Sequence, residues 1–158
     1  MCYSAKAVAN ALIEVAREEN RPITNLVLQK MVFLAHGWYL GLTKNPLTCD
    51  IIEAWQYGPV FPSLFKALVK YGAGEVTEFI ASKDRILENS DTFHFIKIIF
   101  DKYGQYTSGQ LISLTYEKDS PWAKTWQGGK GRNLQIDNYS ILQYYSKKIE
   151  NAGTGEAK

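Results

Sequence analysis

Apolar residues open the chain at helical spacing. Val8, Leu12, Val15 and Ala16 fall at i, i+4, i+7 and i+8, one stripe down an amphipathic helix. Ser4 stands where an N-cap belongs. Glu14, Arg17 and Glu18 take the wet side, and Arg21-Pro22 ends the helix. Thr24 opens a second helix whose stripe is Leu28, Met31, Val32, Ala35, Trp38, Tyr39 and Leu42. Val27, Phe33, Leu34 and Leu40 carry apolar character around the cylinder, which predicts a central, buried helix. Residues 43–49 are a turn by composition.

DIIEAWQY, from Asp50, is short and rich in β-branched and aromatic types, so it reads as a brief strand. Gly58 breaks it, and Pro59 or Pro62 suits the first turn of a third helix. Phe61, Leu64, Phe65 and Leu68 hold helical spacing up to Tyr71, with Gly72 to close. Within residues 73–91, VTEFI looks extended and SKDRILENSD looks like turn and edge. A fourth helix follows Thr92, with Phe93, Ile96, Ile99, Phe100 and Tyr103 on one side. Thr107 and Gln110 have capping-box spacing for a fifth. Ser120-Pro121 starts a short sixth that ends near Trp126, and Asp137 caps a last helix through Ile141, Leu142, Tyr144 and Tyr145. The pattern predicts a mainly α protein, a single compact domain of about six to seven helices with one or two short β-strands. The domain is expected over residues 1–148, with 149–158 as a flexible tail.

Composition sharpens this picture at a few points. With 158 residues, 46% hydrophobic and 22% charged, the chain can bury an ordinary core without staples. The aromatic share, 10 Tyr, 7 Phe and 4 Trp, is high enough that part of it must reach the surface, where Tyr and Trp favour interfaces. A net charge of +2 with scattered Lys and Arg is not the dense basic patch of a nucleic-acid binder. Cys2 and Cys49 make no disulfide framework and read as free thiols in a reducing compartment. The start, MCYSAKAVANAL, lacks a basic region followed by an apolar run, so no signal peptide is expected. Residues 26–42 are too short and too polar for a bilayer span. The expected address is the cytoplasm.

Candidate chemistry is sparse. His36 and His94 sit on separate helices, and neither has a second ligand at i+3 or i+4, so no metal site is expected. A Cys–His pair assembled by the fold stays open, without a local signature. QGGKGR, residues 127–132, lacks the spacing and the hydroxyl of a Walker loop. It reads first as a glycine loop with two solvated charges, and second as a weak anion holder through its amides, Lys130 and Arg132. Glu14 with Glu18, and Glu117 with Asp119, read as solvated faces or helix ends. Glu53 has Lys30 or Arg85 as candidate partners.

Three stretches stand in order: LQKMVFLAHGWYL (28–40), IEAWQYGPVFPSLF (52–65) and LTYEKDSPWAKTW (114–126), followed by Ile136 and a last helix with QYY. Together they resemble the Panacea antitoxin domain, also described as a SocA-like or GepA-like phage-associated family. LQK, AHG, EAW and YGPV carry the resemblance, which runs from about Ala5 to Tyr145. Family members often carry a His where this chain has Tyr116.

The resemblance implies a largely helical antitoxin that binds a cognate protein toxin encoded beside it, with no enzymatic activity and no cofactor. Neutralisation would proceed by covering the toxin's active surface, trapping an inactive shape or delivering it to a protease. Partner-binding candidates are His36, Glu53, Trp55, Tyr57, Phe61, Tyr116 and Trp122, if the motifs converge in space; Trp38 reads as core. Two other classes compete. One is a small enzyme or nucleotide-binding protein using His36 or His94, and the other a DNA-binding autoregulator, against which the near-neutral charge argues. Association with a second copy is left open.

Overall fold

The computed structural model describes residues 2–154. Its order is α1 (Ala5–Glu18), α2 (Asn25–Thr43), β1 (Glu53–Trp55), β2 (Gly58–Val60), α3 (Pro62–Leu68), α4 (Asp91–Tyr103), α5 (Ser108–Tyr116), α6 (Pro121–Trp126) and α7 (Asn138–Thr154). The fold is mainly α, with one two-stranded antiparallel sheet. Among the described residues no helix is long and apolar enough to cross a membrane.

The helix starts follow local capping chemistry. Ser4 accepts from the Ala7 N–H, Thr24 from Val27 and Ser120 from Ala123. Thr107 and Gln110 form the reciprocal capping box, and Asp137 accepts from the Ser140 N–H at 2.7 Å. The fourth helix starts earlier than the sequence pattern predicts, at Asp91, because Ser90 and not Thr92 takes the cap by accepting from the Phe93 N–H.

Helix α2 is the axis of the domain. It packs against α1, α3, α4, α5, α7 and β2, and Leu28, Met31, Val32, Phe33 and Ala35 have essentially no exposed surface. Its tightest neighbour is α7. A Cβ at Gly37 would lie 2.3 Å from the Tyr145 ring, so only glycine allows the two helices to approach so closely. The Tyr145 ring is edge-on to both Phe33 and Trp38. Trp38 is half-buried against this core and donates to the Tyr103 hydroxyl at 2.7 Å.

Residues 73–90 form a strap without regular structure across α1. Its backbone is pinned by side chains. Asn10 donates to the Ile80 carbonyl and accepts from the Ile80 N–H, both at 2.8 Å. Arg17 donates to the Thr77 carbonyl. Asp84 accepts from the Ser4 N–H at 2.8 Å and the Ser4 hydroxyl at 2.7 Å. Val76 and Ile86 are the strap's buried anchors.

Three expectations change. The strand expected from Asp50 is confined to Glu53–Trp55, and Gly58 begins a paired strand rather than simply ending one. The tail expected from residue 149 is helical through Thr154 as part of α7; residues 155–158 lie outside the described residues. Cys2 and Cys49 are not free thiols but a disulfide pair with Cα atoms 5.6 Å apart. The Tyr3–Thr48 bridge lays the N-terminus beside the segment after α2, a juxtaposition that cysteine spacing alone does not encode.

Candidate functional site

β1 and β2 form a tight hairpin in the register Glu53–Val60, Ala54–Pro59 and Trp55–Gly58, with Gln56 and Tyr57 at the turn. Gly58 has φ +111°, and a Cβ there would meet Thr115 Oγ1 at 2.8 Å and Lys30 Cε at 3.0 Å. So small a hairpin is marginal alone. Side chains from three helices hold its backbone. From α2, Lys30 Nζ donates to the Pro59 carbonyl at 3.0 Å, and Gln29 Oε1 accepts from the Phe61 N–H at 2.9 Å. From α6, Trp122 Nε1 donates to the Trp55 carbonyl at 2.7 Å. From α5, the Tyr116 hydroxyl donates to the Gln56 carbonyl. The free edge of β1 is met by residues 133 and 134, through Ala54 N–H to the Leu134 carbonyl and Asn133 N–H to the Ala54 carbonyl.

The same helices build an aromatic stack. Tyr116 lies on Trp122 with ring centroids 4.3 Å apart, and Trp122 lies on Trp126 at 5.4 Å. The Arg132 guanidinium lies over the Trp126 ring, 4.9 Å from its centroid. Burial, and the neighbouring Tyr57, raise the Tyr116 phenol above its ordinary value. Tyr57 is held at the tip with 58% of its surface exposed. Trp55 is half-buried, edge-on to Phe65 at 5.1 Å.

The three sequence stretches therefore meet at one place, the first and third as clamps on the second. The family described as "Antitoxin SocA-like, Panacea domain" matches residues 28–123, which run from α2 through the hairpin to Ala123 in α6. The chain belongs to this antitoxin family. Over 141 residues it is 30% identical to Antitoxin SocA of Caulobacter vibrioides (strain NA1000 / CB15N), covering 84% of this chain and 74% of that relative. No solved structure matches. Within this family member the Tyr116 position serves as the stack's outer layer and as a peg on the turn.

The candidates from sequence fall into two groups. Trp55, Tyr57, Tyr116 and Glu53 have surface a partner can reach, though Glu53 pairs with neither Lys30 nor Arg85; its carboxylate accepts from Trp55 Nε1 at 2.9 Å. Trp122 is nearly buried under Tyr116. His36 and Phe61 have no exposed surface, so a contact role does not fit them. The Thr48 N–H donates to His36 Nδ1 at 3.3 Å, which leaves Nε2 to donate to Asn138 Oδ1 at 2.9 Å. Burial lowers the His36 pKa below the usual imidazole value. The ring is thus a neutral, two-sided brace. His94 is exposed on α4.

The sequence offers Lys30 only as a partner for Glu53 and marks neither Lys30 nor Gln29 as a clamp on the hairpin. Lys30 is fully buried, and burial pushes its pKa down to about 7. Elsewhere, Glu14 reads as a solvated residue from sequence, but burial and a hydrogen bond with Glu88 raise its pKa to about 7. Among the described residues, Glu14, Glu18 and Glu88 are the one carboxylate grouping close enough for a shared cation.

Proposed function

We propose that this protein is an antitoxin that neutralises a cognate protein toxin by binding it directly, with the hairpin tip as the centre of contact. One observation carries the reading: Tyr57 is projected into solvent from a turn whose backbone is clamped by α2, α5 and α6. A rigidly held aromatic loses little freedom on docking, and such side chains dominate interface energies. Trp55, Tyr116 and the Glu53 carboxylate flank it, while Trp122 and Phe61 support the face from below. A stable complex needs about 1,600 Å² of buried surface, so the contact extends beyond the hairpin. Binding over the toxin's working surface requires no chemistry from the antitoxin.

The test is co-expression with the product of the adjacent reading frame, following growth and co-purification. The wild-type chain is expected to restore growth and to co-purify. Tyr57→Ala is expected to lose affinity by about 2 kcal/mol or more, roughly thirtyfold, with its melting temperature unchanged. A Tyr57→Ala, Trp55→Ala double variant that folds and rescues fully would rule out the hairpin as the contact. A harmless neighbour that does not co-purify would count against the antitoxin role itself.

A further inference from the structure

Beside the hairpin lies a cavity of about 720 Å³, bounded by the first turns of α2, the hairpin turn, α3 and residues 132–133. That is the size of a small-molecule site. The hydrogen bonding of its floor is fixed by one backbone group. The Phe61 N–H can only donate, so Gln29 must turn its Oε1 toward it. The Gln29 amide nitrogen then donates to Asn25 Oδ1 at 3.2 Å. Among the described residues the Asn25 NH₂ has no protein acceptor, and since no fully buried side-chain nitrogen is left unpartnered, this group has surface to present. Asn25 is 6% exposed and lines the cavity. Lys30 follows on the same helix with three protons to give and one acceptor, the Pro59 carbonyl.

Charge points the same way. The lining contains Lys30 and Arg132 and neither Asp nor Glu, and among the described residues Lys30 has no carboxylate partner. A buried ammonium without a counterion is costly, as its pKa of about 7 records. An arriving anion would stabilise its charged form. Above this floor the walls are apolar and flat: Trp55, Tyr57 and Phe65, with Val60 and Leu26.

From a floor that presents the unpaired Asn25 NH₂ above a buried cation and holds no carboxylate, under aromatic walls, we infer that this cavity binds an oxyanion, a carboxylate or a phosphate, carried on a flat apolar body. The body packs against Trp55 and Phe65. The oxygens accept from the Asn25 NH₂, with Arg132 at the mouth, and the buried Lys30 ammonium attracts them through its charge from beneath. The site belongs to the chain alone and does not depend on a toxin docking at Tyr57.

The test is calorimetric titration of the full chain with benzoate, phenyl phosphate, benzamide and inorganic phosphate. One of the two aromatic anions is expected to bind saturably with one site per chain, and the tighter of them identifies the oxyanion. Benzamide, flat but neutral, is expected to bind at least about tenfold more weakly, the loss of one charged hydrogen bond. Asn25→Asp keeps the acceptor that Gln29 needs and suits a helix N-terminus, but sets a carboxylate where the anion belongs. Lys30→Met removes the charge at similar volume. Each is expected to weaken anion binding by about tenfold or more with the circular dichroism spectrum retained. Equal binding of benzamide and benzoate would overturn the inference, as would anion binding that survives both substitutions. Inorganic phosphate matching phenyl phosphate would remove the flat body from it, and no saturable binding at millimolar concentration would end it.

Discussion

The hairpin at residues 53–60 and the strap at residues 73–90 solve one problem in opposite directions. Both have backbone groups satisfied by side chains that reach in from helices. The hairpin is held from behind by Lys30, Gln29, Tyr116 and Trp122, and its aromatic residues face outward. The strap is held by Ser4, Asn10 and Arg17 of the α1 region, and it turns Val76 and Ile86 inward. Outward it shows mostly polar residues, with Phe79 under the Arg17 guanidinium at 4.4 Å. The strap covers a helix, whereas the hairpin is displayed by helices. The difference lies in what anchors each segment: the strap sinks Val76 and Ile86 into the core, whereas the hairpin presents Tyr57 to solvent.

Substitutions can test that division. The largest effect is expected from Gly58→Val. It places a branched side chain at positive φ against Thr115 and Lys30 and should cost about 3 kcal/mol or more by urea unfolding. Toxin rescue should fall with it, because the tip is no longer held. Next comes Asn10→Ala, which strands two backbone groups of Ile80 and should cost about 1–3 kcal/mol. It should open the strap to proteolysis while an excess of the protein still rescues. If rescue failed there at a stability equal to that of a hairpin variant, the strap would belong to the binding face too.

The smallest effect is expected from acid. His36 is neutral in the fold with its pKa lowered by burial, so the unfolded chain takes up a proton first as pH falls through about 6.5. This group's contribution is complete above that pH and is lost between it and the lower folded pKa. The melting temperature should therefore drop on acidification toward pH 5, and His36→Phe should flatten the drop.

Helix starts were legible because a cap and its target lie three residues apart: Ser4, Thr24, Thr107 with Gln110, Ser120 and Asp137 all act as their positions suggest. The buried character of α2 was legible from its all-round apolar pattern. The clamps were not. Lys30 meets Pro59, Trp122 meets Trp55 and Asn10 meets Ile80 across wide stretches of chain, and no local pattern marks such pairs. The cysteine pair was hidden for the same reason. Of the site, the aromatic tip was visible as residue types out of place in a broken segment, while the polar floor of Asn25, Gln29 and Lys30 looked like the ordinary start of a helix.

The aromatic stack also makes the protein its own optical gauge. Of the four tryptophans, Trp55, Trp122 and Trp126 sit at or behind the hairpin, with Trp122 and Trp126 nearly parallel at an interplanar angle of 17°. Trp38 stands apart, bonded to Tyr103 and edge-on to Tyr145. Coupled ring transitions in the near ultraviolet should therefore report on the display face, and a chain reduced to Trp38 should report on the core. Docking and unfolding can be watched as separate signals without attaching a dye.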